Sequence, residues 1–150
     1  MTDIVEFIKA RLDGDERIAL MATPAPWTDR SPGNVFIEQA AGENAHLIAQ
    51  FPTCEEHADN REWDARHVAH HDPARVLREV EAHRRLLAEV ASWRHLNVDD
   101  SGIHSCATIV YAEELRGSCD CGLEARRAAI LHPLALPFAD HPDYQEAWRP

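Results

Sequence analysis

The sequence has no apolar run approaching the roughly 20 residues that cross a bilayer. Acidic residues stand near its N-terminus, where a secretory signal would carry basic ones. The motifs GxxxxGK[ST], GxGxxG, GxSxG and HExxH, which identify several large enzyme classes, are missing. These absences predict a cytoplasmic protein without a membrane span, and they make an enzyme the less favoured class.

Basic residues are scarce: 15 Lys and Arg stand against 26 Asp and Glu, which gives a formal charge of −11. Nucleic-acid affinity comes largely from Lys and Arg displacing counterions from phosphates. We therefore expect no nucleic-acid partner. An acidic surface can bind a basic protein, although it can equally serve only solubility.

The length of 150 residues and the apolar content of 45% are typical of one globular domain, which we expect to span residues 1–150. There are four cysteines. In a reducing compartment such residues are thiols or metal ligands more often than disulfides.

Apolar residues recur at helical spacing in the first segment, at Ile4, Ile8 and Leu12, and predict a helix there. Residues 23–34, which carry three prolines and a glycine, predict a loop. The alternating runs 35–39 and 46–51 predict a β-hairpin, and the β-branched run 107–111 predicts a third strand.

Helical patterns return from about residue 55 to residue 71 and again from 73 to 95. Asp72 followed by Pro73 predicts an N-cap and a first helical residue. The stripe from Val76 to Ala91 makes the 73–95 helix the centre of the core. With a shorter helix at 123–131 and an irregular tail, the pattern predicts an α+β fold that is mainly helical, with a small antiparallel hairpin or three-stranded sheet.

Two imidazoles and a carboxylate share one face of the helix that ends at residue 71. Asp64, His67 and His71 are spaced i, i+3 and i+7, and this set could bind Zn, Fe(II) or Mn. His141 is the natural further ligand. In the alternative interpretation, His67 packs beside Trp63 and His71 caps the end of the helix.

A second candidate metal site combines thiolates with an imidazole, which together favour structural zinc. Its residues are His104, Cys106, Cys119 and Cys121. His132 or Cys54 could take the place of His104 as the fourth ligand. The alternative is a loop that carries scattered thiols and no metal.

The proline-rich tail carries three aromatic residues, Phe138, Tyr144 and Trp148. Residues 142–148 could form about two helical turns with Tyr144 and Trp148 on one side. These rings either pack on the chain's own helices or form an exposed anchor for another protein, because Tyr and Trp are frequent binding hot spots.

Three blocks of the sequence, DIVEFIKARLDGDERIA, HVAHHDPARVLREVEAHRRLL and LALPFADHPDYQEAWRP, resemble a family of small actinobacterial and actinophage proteins of unknown function. The positions that match the family pattern are His67, His71, Asp72, Pro73, His141 and Asp143. The family commonly carries a Cys-x2-Cys pair, whereas this chain has Cys119-x-Cys121. The resemblance implies actinobacterial cytoplasm or an infected host cell as the setting, and it implies no activity.

Two classes of function follow from these patterns. The favoured one is an accessory or regulatory protein that acts through protein–protein contacts, with a structural zinc as an optional part. The alternative is a small metal-dependent hydrolase or oxygenase built on Asp64, His67 and His71, which requires a further ligand and an adjacent pocket.

Overall fold

The computed structural model describes residues 3–31, 33–37, 46–51, 60–93 and 122–150. The elements in these ranges are α1 (Ile4–Met21), β1 (Trp27–Ser31), β2 (Asn34–Ile37), β3 (Leu47–Gln50), α2 (Arg61–His70), α3 (Pro73–Ser92) and α4 (Leu123–Ala135). Two short 3-10 helices follow, at Leu136–Phe138 and Glu146–Trp148. The mainly helical α+β class predicted from the sequence is confirmed. Among the described helices, none combines the length and apolarity needed to cross a bilayer.

The chain divides into two compact units. Residues 1–10 with 83–150 form one, called here the terminal unit, and residues 11–82 form the other, the central unit. The helices α1 and α3 each continue from one unit into the other. The organisation of residues 1–150 as a single domain stays a prediction.

The first helix starts directly after Asp3, whose Oδ1 accepts a 2.7 Å hydrogen bond from the backbone N–H of Val5. This contact satisfies one of the donors that a helix start leaves unpaired. Phe7 and Ile8 are buried in the terminal unit, and Leu12 and Ala19 are buried in the central unit.

The sheet has the order β1-β2-β3, and both strand pairs are antiparallel. The strands of the predicted hairpin are confirmed as β2 and β3. The loop prediction is wrong over Trp27–Ser31, which forms β1 and pairs with β2. The sequence WTDRS lacks the alternating apolar residues that indicate a strand, and it forms one through backbone pairing with β2. The strand predicted at 107–111 lies outside the described residues.

Gly33, immediately before β2, has a φ of 81°. A Cβ there would lie 3.2 Å from Cδ of Arg61 and 3.3 Å from the carbonyl oxygen of Phe51. The backbone N–H of Phe51 also donates a 2.7 Å hydrogen bond to the Gly33 carbonyl. Only glycine combines this backbone angle with so close an approach.

The second helix, α2, packs on β1 and β2 within the central unit. Its Ala65 is fully buried, as is Val35 of β2. The described part of the predicted 55–71 helix is confirmed, and residues 52–59 lie outside the described ranges. The predicted boundary at Asp72-Pro73 is confirmed, because α3 begins at Pro73.

The third helix buries Val80 in the central unit and Leu87 in the terminal unit, with 3% and 4% of each residue exposed. Both lie on the stripe that predicted this helix as a core element. The helix ends at Ser92, three residues before the predicted end. Val90 completes its buried side in the terminal unit.

The last helix, α4, continues through Pro133 to Ala135, so the prediction that it ends at Leu131 is wrong. Proline removes one backbone donor from a helix. Burial of Leu131 and Ala135 on either side of Pro133 offsets that loss. The prediction of two helical turns over residues 142–148 is also wrong. Only the 3-10 turn Glu146–Trp148 forms, after Gln145 in an extended conformation.

Candidate functional site

The central unit contains a surface groove of about 360 Å³, called here the central groove. It is formed by the last turns of α1, the start of β1, the residue that follows α2 and the first turns of α3. Its lining residues are Asp15, Ile18, Ala19, Ala22, Trp27, His71, Pro73, Val76 and Glu79. Most of this lining is apolar, and among the described lining residues none is Lys or Arg.

Ile18 lines this groove, and it is one of three large apolar side chains exposed near the end of α1. Ile18 is 68% exposed and Met21 is 83% exposed. These two residues are spaced i, i+3 and are therefore neighbours on the surface of α1. Leu20 is also exposed, at 65%. An apolar patch at the mouth of a groove is typical of an interaction surface.

Carboxylates supply the charge in the central groove. Glu79 accepts a 2.7 Å hydrogen bond at Oε1 from Nε of Arg75. Arg75 also donates a 3.2 Å bond to the backbone carbonyl of His70, which ties α3 to the end of α2. Asp15 faces the same space. The groove therefore combines apolar walls with two carboxylates, of which Glu79 is ion-paired with Arg75.

His71 stands at the C-terminal end of α2, and its Nδ1 lies 2.8 Å from the backbone carbonyl oxygen of His67. A carbonyl oxygen only accepts, so Nδ1 carries the proton, and the Nε2 of neutral His71 is an acceptor. The contact satisfies a carbonyl of the last helical turn, as the capping interpretation of His71 predicts. The rings of His67 and His71 are 4.4 Å apart between centroids and inclined by 43°.

The predicted metal set of Asp64, His67, His71 and His141 is brought together only as the pair His67 and His71. Within residues 3–31, 33–37, 46–51, 60–93 and 122–150, no three His, Cys, Asp or Glu side chains form a group that could hold a metal. His141 belongs to the terminal unit, where its Nδ1 accepts a 3.1 Å hydrogen bond from the backbone N–H of Asp143.

Arg66 connects the exposed face of α2 to the sheet. Its guanidinium carbon lies 4.8 Å from the centroid of the Trp63 ring. The same side chain bonds to Glu62 at 3.1 Å and to Asp29 of β1 at 3.2 Å. Trp63 is 64% exposed, and Arg66 is the residue that stacks on it. These contacts hold Arg66 against the exposed ring of Trp63 within the central unit.

The aromatic residues of the tail surround Phe7 of α1 in the terminal unit. The ring centroid of Phe7 lies 6.4 Å from that of Phe138, 6.1 Å from that of Tyr144 and 5.0 Å from that of Trp148. Trp148 is only 8% exposed. The geometry therefore supports packing of these rings on the chain's own helix over the exposed-anchor alternative.

The terminal unit also contains a cavity of about 600 Å³, lined by the first turn of α1, the end of α3 and one side of α4. Arg127 lines it and bonds to Glu124 at 3.1 Å and to the backbone carbonyl of Trp93 at 2.8 Å. His132, considered above as an alternative zinc ligand, lines the same cavity.

The second predicted metal set lies outside the described residues. Its members are His104, Cys106, Cys119 and Cys121, and the alternative ligand Cys54 is also outside. The structural zinc therefore stays a prediction.

Sequence reasoning missed the central groove and the exposed residues beside it. A signal for them was present, because Ile18, Leu20 and Met21 lie off the helical stripe formed by Ile8, Leu12 and Ala19. Large apolar residues outside the buried stripe of a helix can indicate an interaction surface.

Comparison with known proteins gives one match. The model of a family of unknown function (DUF6221) matches residues 1–150. No curated protein and no solved structure matches the chain. A function for this chain therefore rests on its own geometry.

Proposed function

The chain belongs to the DUF6221 family of unknown function, and we propose that it is an accessory protein that acts by binding another protein at the central groove. The occupant is a basic amphipathic segment of the partner, with an apolar side chain in the groove and Lys or Arg beside it. The observation that carries the proposal is the exposure of Ile18, which lines the groove, and of Met21, its neighbour on the surface of α1.

Apolar side chains exposed to water are a source of binding free energy. Covering one Ile or Met side chain is worth about 1.5–3 kcal/mol. Ile18 and Met21 leave most of that free energy unused in the isolated chain, since 68% and 83% of these residues are exposed. A partner that covers both and fills the groove gains this term without rearranging the fold.

The charge of the chain selects the chemistry of the partner. The formal charge is −11, and the groove holds the carboxylates of Asp15 and Glu79. Opposite charges across an interface speed association and exclude wrong partners more than they raise affinity. A segment rich in Lys and Arg is attracted to this surface, whereas an acidic one is repelled.

A structural zinc fits the same class of function. We propose that Cys106, Cys119 and Cys121 with His104 bind zinc, because three thiolates and one imidazole form a closed tetrahedral set. Such a set leaves no open position for a substrate, so the metal would stabilise its segment and take no part in a reaction. The cytoplasm of an actinobacterium or of its phage-infected cell remains the proposed setting.

The alternative function, a metal-dependent hydrolase or oxygenase, needs three protein ligands and an open position on the metal. In the part of the chain that the structure describes, no such group of ligands is assembled. The binding function is therefore the better supported of the two.

A defined probe tests the proposed function. A synthetic helical peptide of alternating Leu and Lys clusters is titrated into the full-length, untagged chain and followed by amide chemical shifts. We expect shifts at the central groove and at least tenfold weaker binding by Ile18→Asp.

Leu86→Asp is the matched control, because Leu86 is also a large exposed apolar residue, at 46%, and does not line the groove. It should bind the peptide like the unmodified chain, and a peptide with Glu in place of Lys should not bind. Equal binding by Ile18→Asp, or shifts confined to other surfaces, would overturn the proposal.

A further inference from the structure

The pair of histidines at the end of α2 has a chemistry that the proposed binding function does not use. We propose that His67 and His71 together bind one divalent transition-metal ion of the zinc class on the exposed surface of α2. This site needs no partner protein and no third protein ligand. His71 also lines the central groove, whereas His67 does not, so variants of His67 test the metal site separately from the groove.

The backbone places the two rings side by side. Residues four apart on a helix are neighbours on its surface. The ring centroids of His67 and His71 are 4.4 Å apart, and both residues are exposed. A tetrahedral ion with Zn–N bonds of about 2.0–2.1 Å holds its two nitrogens about 3.3 Å apart. Rotation of the His67 side chain would bring one of its nitrogens to that separation from Nε2 of His71.

A hydrogen bond to the backbone orients His71 as a ligand. Its Nδ1 donates to the backbone carbonyl of His67 over 2.8 Å, which leaves the lone pair of neutral His71 on Nε2. Histidines that bind metals usually donate their other ring N–H to a carbonyl or carboxylate, which fixes the tautomer and the ring orientation. The carbonyl here belongs to the last turn of α2, so the backbone of the helix orients the ring.

The ligand chemistry selects the ion. Imidazole nitrogen suits Zn²⁺, Ni²⁺ and Cu²⁺, whereas Mg²⁺ and Ca²⁺ prefer oxygen ligands. Water would occupy the remaining coordination positions. His70 is the neighbour that this site leaves out, since its ring lies 6.3 Å from that of His71 at an angle of 77°. His70 is also exposed, and it provides a matched control on the same helix.

The test is a Zn²⁺ titration of the untagged full chain, followed by the imidazole nitrogen resonances. Cys119→Ser is titrated in parallel, so that zinc bound at the proposed cysteine site is distinguished from zinc bound at the histidine pair. We expect Nε2 of His71 and one nitrogen of His67 to shift together in a separate step, while an equal concentration of Mg²⁺ leaves both in place. His67→Gln should weaken this step at least tenfold, and His70→Gln should leave it unchanged.

Three outcomes would overturn the site: no joint shift of His67 and His71, an equal loss in His70→Gln, or unchanged zinc binding in the His67→Gln, His71→Gln double variant. The metal site and the proposed function fail separately. Ile18→Asp removes the apolar contact of the groove and should keep the zinc step. His67→Gln removes the zinc step and should keep peptide binding, because His67 does not line the groove.

Discussion

The carboxylate of Asp72 closes the start of α3: its Oδ1 accepts a 2.8 Å hydrogen bond from the backbone N–H of Arg75. Arg75 is the third residue of the helix, the position that an N-cap side chain normally reaches. Pro73 precedes it as the first helical residue and has no N–H to satisfy. The contact therefore caps the helix that carries the buried residues Val80 and Leu87.

Replacing Asp72 with Ala removes this acceptor and leaves a donor of the first turn to water. We expect Asp72→Ala to lower the free energy of unfolding by about 1 kcal/mol, measured by urea denaturation. Asp72→Ser retains an acceptor and should lose much less. Equal losses in the two variants would show that the hydrogen bond to Arg75 does not stabilise the helix.

Two adjacent leucines on α3 provide a matched pair for the core. Leu87 is 4% exposed and Leu86 is 46% exposed. Leu87→Ala leaves a cavity and should cost about 2–4 kcal/mol in the free energy of unfolding. Leu86→Ala should change it by less than about 0.5 kcal/mol. Similar costs at both positions would contradict the helix orientation.

The tail should behave as part of the core of the terminal unit. Trp148 is 8% exposed, and its ring centroid is 5.0 Å from that of Phe7. Trp148→Ala should therefore cost about 3–5 kcal/mol, measured by thermal or urea denaturation. Truncation after Asp140 should unfold the chain more readily still. A truncated chain of unchanged stability would show that the tail does not contribute to the core.

Unlike the variants above, a substitution at Tyr144 should not lower the stability of the chain. Its hydroxyl is buried and has no hydrogen-bond partner among the described residues. An unsatisfied buried polar group costs about 1–3 kcal/mol. Tyr144→Phe keeps the ring against Phe7 and removes that group, so the melting temperature should stay equal or rise. A clear fall would mean that the hydroxyl is hydrogen-bonded in solution.

The proposed structural zinc is tested by elemental analysis of untagged protein. We expect Cys119→Ser to lose one zinc per chain relative to the unmodified protein, together with a lower melting temperature, because binding to the native state stabilises it. His67→Gln is the control, since His67 is not one of the ligands of the proposed cysteine site. Protein purified without any bound metal would remove the cysteine site from consideration.

Local chemistry was sufficient to predict several elements. Asp72-Pro73 marks the start of α3 because capping and the missing proline donor act within one turn. The stripe through Val80 and Leu87 predicts which side of that helix is buried, since helical periodicity alone places them together. The hairpin of β2 and β3 follows from alternation in the same way. The pairing of His67 with His71 follows from their spacing of four residues.

Long-range packing decided the remaining features. The residues of β1 become a strand only because β2 offers its backbone groups, and α4 passes Pro133 because Leu131 and Ala135 are buried. Trp148 is buried by its approach to Phe7, at the other end of the chain. The groove beside Ile18 likewise depends on residues that come from α1, β1 and α3. Periodicity and capping act over a few residues, so the sequence by itself determined the helices and the hairpin. Burial depends on neighbours distant in sequence, so only the tertiary structure decided that Ile18 lines a groove and that Trp148 is buried.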